Sequence, residues 1–352
     1  MSALRSSYQA EDVEILLKDI TGLVQPLENQ EREKYIQQGV HYSEMLPCEH
    51  APSEAYLRTF YDALERYAPL TAQAVGNLAE KIFQEKGENT VLVSLARAGT
   101  PVGILLKRYL EKRHQIKIRH YTISIIRGKG IDKNAVNYIL KYHSPESIQF
   151  VDGWTGKGAI QRTLTEAMQE WPEIDPLLAV LSDPAHIAGK SGTYEDFLIA
   201  SSCLNATVSG LISRTFYRKD IISDSDFHGA MYYEEFASVD LTEKFLSEIE
   251  KYFDFTLLPV SEPRPEQDAI EETRQIARHF GIADINLVKP SIGEATRVLL
   301  RRIPWKILVH SLEDSAHLGH IYQLAREKHV PVEVYPLQCY KACGLIRSLA
   351  DN

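Results

Sequence analysis

Cysteine is scarce: only Cys48, Cys203, Cys339 and Cys343 occur in 352 residues. They are too few and too scattered for a disulfide framework, which fits a reducing compartment. Cys339 and Cys343 have no second Cys or His pair beside them, so no structural metal is expected. Long apolar runs are missing too. No stretch reaches the roughly eighteen apolar residues of a membrane span, and the opening MSALRSSYQAED carries no apolar leader core. The expectation is a cytoplasmic protein without membrane contact. With 44% apolar and 25% charged residues, the chain can bury one large core and a smaller second domain, and disorder is excluded.

What is present is a series of strand-to-helix turns. Ile148 to Val151 reads as a buried strand running into Asp152, after which Thr155-Gly156-Lys157-Gly158 opens a helix over Ile160–Trp171. An acid at a strand end can accept hydrogen bonds from sugar hydroxyls, while a Gly-rich turn at a helix start presents backbone N–H groups to a phosphate. A nucleotide P-loop does not fit, because Val151 stands where its first Gly belongs and Gly158 replaces its Ser/Thr. A second turn follows the apolar Val91–Leu95. There Arg97-Ala98-Gly99 combines close backbone approach with a guanidinium for diphosphate oxygens, and Pro101 opens a helix over Val102–Lys112. Between them the strand Ile116–Ile126 leads into Arg127-Gly128-Lys129-Gly130, a basic glycine-hinged loop able to close over a site.

Helical spacing of Leu64, Tyr67, Leu70, Ala74, Leu78 and Ile82 predicts an N-terminal helical cap. Leu177–Leu181 reads as another strand, ending at Asp183 and His186 as candidate acceptor contacts, and Thr207–Arg214 as one more. The acidic Asp220–Tyr233 reads as a hood over the site. Alternating strands and helices mean a parallel sheet with ligands at its carboxyl edge. Three prolines within Pro259–Pro265 mark a linker over 259–268. Beyond it, a helix over Ala269–Phe280, strands Lys306–Val309 and Val332–Val334, and a helix over Leu318–Lys328 form an α/β/α module over 269–352, leaving 1–258 as the first domain.

The ordered series of diphosphate turn, basic loop and acid-plus-phosphate turn, over roughly residues 85–215, resembles the type I phosphoribosyltransferases, although this chain has Gly153 and Trp154 where a second acid is usual. The fuller resemblance is to a bacterial stress- and tellurite-resistance family that joins a phosphoribosyltransferase-like core to a C-terminal Pelota/L7Ae-type RNA-binding domain and is also labelled a cysteine protease, StiP. It is carried by Gly39–Pro47, Ser201–Gly210 and Asp226–Ala230. That resemblance implies a transferase using phosphoribosyl diphosphate, with magnesium on the diphosphate and an unknown acceptor. Asp152, Arg127 and Lys129 would be catalytic, and Arg97, Ala98, Gly99 and Thr155 to Gly158 would hold the donor. The alternatives are a thiol hydrolase using Cys203 and His228, and an RNA-binding protein with a degenerate core. Ser291–Arg297 and Val330–Tyr335 resemble the Pelota/L7Ae superfamily, which implies structured RNA as a partner of Glu294, Arg297 and Arg301, with Lys289, Arg302 and Lys306 on its phosphates. A homo-oligomer is compatible with all three readings.

Charge agrees with a local nucleic-acid surface. From Asn286 onward nine Lys/Arg face six Asp/Glu, a net of +3, so the rest carries −12 of the total −9.

Overall fold

The computed structural model describes residues 4–260 and 263–346. Met1 to Ala3, residues 347–352, and Ser261 and Glu262 of the proline-rich linker lie outside the described residues. Every side chain of Val91–Leu95 is buried, as a central strand covered on both faces requires. Around this strand (β2) the first domain builds a six-stranded parallel sheet with β1 (Glu14–Ile15), β3 (Arg119–Ile123), β4 (Ile148–Trp154), β5 (Ala179–Ser182) and β6 (Lys190–Thr193). Its order is β1-β3-β2-β4-β5-β6. Val93 lies in register between Tyr121 and Phe150.

One face is covered by the helical cap, whose main helix α1 (Glu54–Lys86) outruns the predicted segment at both ends, and by α2 (Gly99–His114). Phe60, Leu64, Leu105 and Tyr109 pack there with Leu92 and Val151. The other face buries Val93, Phe150, Val180 and Tyr121 beneath Val136, Ile139 and Leu164, the last from α3 (Ala159–Ala167). Helix α4 (Thr242–Glu250) closes the first face through Phe245 and Leu246.

Two expectations change. The predicted strand Ile116–Ile126 breaks at Ser124, and Ile125–Ile126 pairs antiparallel with Gly130–Ile131, so Arg127 to Lys129 form a hairpin tip. Thr207–Arg214 is not a strand. Gly210 and Leu211 both take left-handed φ, 74° and 57°, which extended pairing cannot accommodate, and the segment holds a short 3-10 turn instead. Within the expected hood, Gly229–Ala230 pairs in parallel with Lys18–Asp19, beneath which lie Ile20, Phe216 and Ile222.

The C-terminal module contains α5 (Ala269–His279), β7 (Val288–Pro290), α6 (Ile292–Arg301), β8 (Pro304–Val309), α7 (Ser315–Glu327), β9 (Val332–Val334) and β10 (Ala342–Ile346); α5, β8, α7 and β9 fall where the sequence predicts them, and β7, α6 and β10 are additional. Its mixed sheet runs β7-β10-β8-β9, with only the β8–β9 pair parallel. The module is docked on the first domain. Ile292, Leu299 and Leu318 belong to the same apolar cluster as Tyr67 and Phe197, and buried Asp196 accepts hydrogen bonds from the N–H groups of Ile292 (3.0 Å) and Lys341 (2.9 Å).

Candidate functional site

The carboxyl ends of β2 and β4 and the first turn of α6 face one another, so both expected anion turns open onto the interface between the two domains. Each is occupied by protein. The Thr155 hydroxyl donates to Asp183 (2.5 Å), the Tyr340 hydroxyl donates to the Gly156 carbonyl (2.6 Å), and the Lys157 ammonium donates to the carbonyls of Val288 (3.0 Å) and Ile285. Gly158, at φ 75°, caps α3 with 2.7 Å between an added Cβ and Ile187. The turn expected to cradle a phosphate therefore anchors the C-terminal module.

Arg97 follows a cis peptide bond and is held by Glu49 (2.6 Å), Asn205 (2.9 Å) and the Ile212 carbonyl (3.1 Å). Ala98 and Gly99 start α2 so close to β4 that a Cβ on Gly99 would meet the Val151 carbonyl at 2.5 Å. The exposed hairpin tip rests on the N-terminal segment: the Arg127 N–H donates to the Tyr42 hydroxyl, its guanidinium lies 5.7 Å from the Tyr42 ring, and Lys129 pairs with Glu44 (3.3 Å). Arg214 lies 4.7 Å over the same ring.

Asp152 accepts a hydrogen bond from the Gly153 N–H (2.8 Å). Burial pushes its carboxyl up to about 6, against the opposing pull of Arg297. Asp183 is a turn staple, accepting from Thr155 and from the N–H groups of Ile187 (3.1 Å) and Ala188 (2.9 Å). His186 takes φ 56° with its ring 3.3 Å from the Gln267 carbonyl. Neither points to an acceptor site. Glu294, Arg297 and Arg301 turn inward: Glu294 pairs with Arg297 (3.3 Å), Arg297 lies over Trp154 (5.7 Å), and Arg301 donates to the Ser202 (3.0 Å) and Leu204 (2.8 Å) carbonyls. In this docked arrangement Arg301 is tied to the first domain and Arg297 lies over its Trp154, while the Arg297 side chain keeps 38% exposure.

The thiol pair is not assembled. Cys203 is fully buried, and burial holds its thiol up near 12 despite nearby Arg301. The His228 ring bonds Ser124 (2.8 Å) and leans on Tyr217, its backbone N–H donates to Asp132 (2.6 Å), and burial lowers it to about 4. No contact joins it to Cys203. The sequence reading passed over Cys48, although Cys48-Glu49-His50 set a thiol two residues from an imidazole. Cys48 is partly exposed. A bridge between Leu27 and Pro47 brings Glu28 alongside, where the carboxylate accepts the thiol hydrogen bond, and His50 Nε2 is 4.0 Å from that carboxylate. Among the described residues, no group of three or more His, Cys, Asp or Glu could hold a metal, and no helix is long and apolar enough to cross a membrane.

Residues 6–250 match the family model described as tellurite-like stress resistance cysteine protease StiP, and residues 267–348 match that of the PELOTA RNA binding domain. The chain belongs to the StiP family. A curated relative, cysteine protease StiP of Acinetobacter baylyi, is 36% identical over 98% of this chain and 95% of its own. Among solved structures, the hypoxanthine-guanine phosphoribosyltransferase of Bacillus anthracis is 17% identical over 36% of this chain and 77% of that one, at a TM-score of 0.26. The hypoxanthine phosphoribosyltransferase of Trypanosoma cruzi is 15% identical over 58% and 95%, also at 0.26. These overlaps are slight.

Membership in StiP corrects the principal functional expectation. The family and its end-to-end relative are named for a cysteine protease, so the transferase reading, with phosphoribosyl diphosphate as donor, is set aside. The geometry gives the physical counterpart: the turns that carried that reading are already filled by Glu49, Asn205, Asp183 and Tyr340. The magnesium expectation belonged to the same donor.

Proposed function

We propose that this StiP-family chain is a cysteine protease acting through Cys48. The observation that carries the activity is the end-to-end match with the Acinetobacter protease, which leaves no large part of either chain unaccounted for. The choice of thiol follows from access. A thiol nucleophile must be reachable and must have a base for its proton. Cys203 and Cys343 are buried, and Cys339 is held near 12 by burial and its hydrogen bond to Glu272. Cys48 has partial exposure, a carboxylate and an imidazole beside it.

Burial and Glu28 raise the Cys48 thiol, so it rests protonated. On attack, Sγ bonds to the scissile carbonyl carbon while its proton passes to the Glu28–His50 pair. That proton then goes to the leaving amine, and water hydrolyses the thioester to release the acid and the thiol. RNA is the partner class suggested for the C-terminal module by its Pelota match.

Hydrolysis of casein by the purified chain is expected to fall at least about a hundredfold in Cys48→Ala and to stay within about twofold in Cys203→Ser. Alkylation by iodoacetamide, mapped by mass spectrometry, should fall on Cys48. Loss of activity only in a correctly folded Cys203→Ser would move the nucleophile, and an inactive wild type would remove proteolysis.

A further inference from the structure

Two segments that stand out in the sequence have no part in the chemistry at Cys48: the turn at Arg97, and Ser201–Gly210. Both converge on Glu49, the residue between Cys48 and His50. The Glu49 side chain is only 5% exposed. One of its carboxylate oxygens accepts from Arg97 Nη1 (2.6 Å), and the other accepts from the Ala206 N–H (3.0 Å). Arg97 is fixed in turn by donating to Asn205 Oδ1 (2.9 Å) and to the Ile212 carbonyl (3.1 Å). A carboxylate with both oxygens engaged, one of them by a guanidinium, holds its own stretch of backbone in place. That stretch is laid out as extended chain. The Leu27 N–H donates to the Leu46 carbonyl (2.8 Å) and the Cys48 N–H to the Leu27 carbonyl (2.9 Å), on either side of the parallel bridge between Leu27 and Pro47. Successive side chains of an extended segment point to opposite sides. With Glu49 turned inward, Cys48 and His50 share the other side, where Cys48 is partly exposed and His50 Nε2 lies 4.0 Å from the Glu28 carboxylate.

We infer that Glu49 is a positioning residue, whose clamp on Arg97 and Ala206 holds Cys48 and His50 together on the Glu28 side of their segment. The inference deepens the protease reading and rests on it for calling Cys48 the nucleophile. Glu49 is not itself a base for the thiol, because both of its oxygens are engaged on the opposite side of the segment. The clamp also gives the Arg97 turn and Asn205 a task in this chain: they hold the carboxylate that aims the thiol. Loss of the clamp frees the segment to turn, which separates Cys48 from its base without removing either group.

The test follows two readouts in the full-length protein: kcat and KM for casein, and the pH dependence of iodoacetamide alkylation at Cys48, mapped by mass spectrometry, which needs no turnover. In Glu49→Gln, kcat is expected to fall at least about tenfold with KM within about twofold. The midpoint of Cys48 alkylation should move to lower pH, because the thiolate is the reacting form and the freed thiol leaves the burial and the carboxylates of Glu28 and Glu31 that raise it. The double variant Glu49→Gln with Arg97→Gln leaves neither charge stranded and should show the same two changes, so the comparison survives if Glu49→Gln alone does not fold. Wild-type kcat and a wild-type alkylation profile in a folded variant overturn the inference. A lowered melting temperature with both readouts unmoved overturns it too, since the clamp would then serve stability alone. If the wild type cuts no casein while the alkylation midpoint still shifts, the clamp stands and the protease reading falls. Casein cleavage that needs Cys48 but is untouched by Glu49→Gln does the reverse.

Discussion

Asp152, Asp183 and Cys203 sit at strand or turn ends where sequence chemistry points to a ligand, and each has its environment set by burial. Asp183 is wholly buried and serves three donors, two N–H groups of its own turn and the Thr155 hydroxyl of the neighbouring one. Replacing it with Ala strands them, and urea unfolding of Asp183→Ala should show a loss of about 3 kcal/mol; an unchanged midpoint would refute the staple role. Asp152 behaves oppositely. Burial raises its carboxyl from the usual value to about 6, so the folded state resists its ionisation. Its unfavourable contribution is full above pH 6 and disappears as pH falls toward 3.8. Asp152→Asn should therefore raise stability by about 2 kcal/mol at pH 8 and leave it unchanged near pH 3.5, a pattern that a residue with no buried charge would not produce.

At the scale of elements, glycine lets α2 lie against its sheet. A Cβ on Gly103 would fall 2.1 Å from the Ser94 hydroxyl and 2.3 Å from the His120 ring, splitting their 2.7 Å hydrogen bond. Gly319, in α7, has nothing within 4 Å. The same Gly→Ala change should then have opposite signs. At position 319 it gains about 0.5–1 kcal/mol of helix propensity, while at position 103 overpacking costs about 2–3 kcal/mol and lowers the melting temperature. Stabilisation at both positions would mean that α2 stands further from the sheet. Helical spacing in Leu64–Ile82 and the run VLVSL were legible because apolar period is local. The failed strand Thr207–Arg214 was not, because the left-handed Leu211 is set by its neighbours: its N–H donates to Ala206, and its carbonyl accepts from Tyr233.

For the molecule as a whole, single residues tie distant segments. Arg108 joins Asp12 (2.5 Å) to Glu243 (3.1 Å) and Glu250, so the N-terminal segment and α4 share one guanidinium. Two buried sets of titrating groups also oppose each other. Burial lowers His228 and His320 to about 4 and His120 to about 3, so stability is lost as pH falls from 6.5 through those values. Burial raises Asp132, Asp152 and Asp196 to about 6, so stability is regained as pH falls from 6 to 3.8. The urea midpoint is expected to stay nearly level between pH 6 and 4. It should then drop below 4 as Asp226 and Asp314, held near 2 by Lys18 and Ser223 and by the histidines His317 and His310, gain protons. A steep fall already at pH 5.5 would show that the histidines act alone.

Family membership, the parallel sheet and the presence of a C-terminal α/β module were determined by the sequence itself, because motif order and apolar period are properties of contiguous residues. Which polar groups remain available was decided only by tertiary structure. Glu49 reaches Arg97, Val288 reaches Lys157, and the Ser202 and Leu204 carbonyls reach Arg301, each pair far apart along the chain. A turn or an arginine looks the same in sequence whether its hydrogen bonds go to a ligand or to a distant part of its own chain. Here the docked C-terminal module fills the turn at Gly156 and Lys157, and Glu49 and Asn205 of the first domain fill the turn at Arg97.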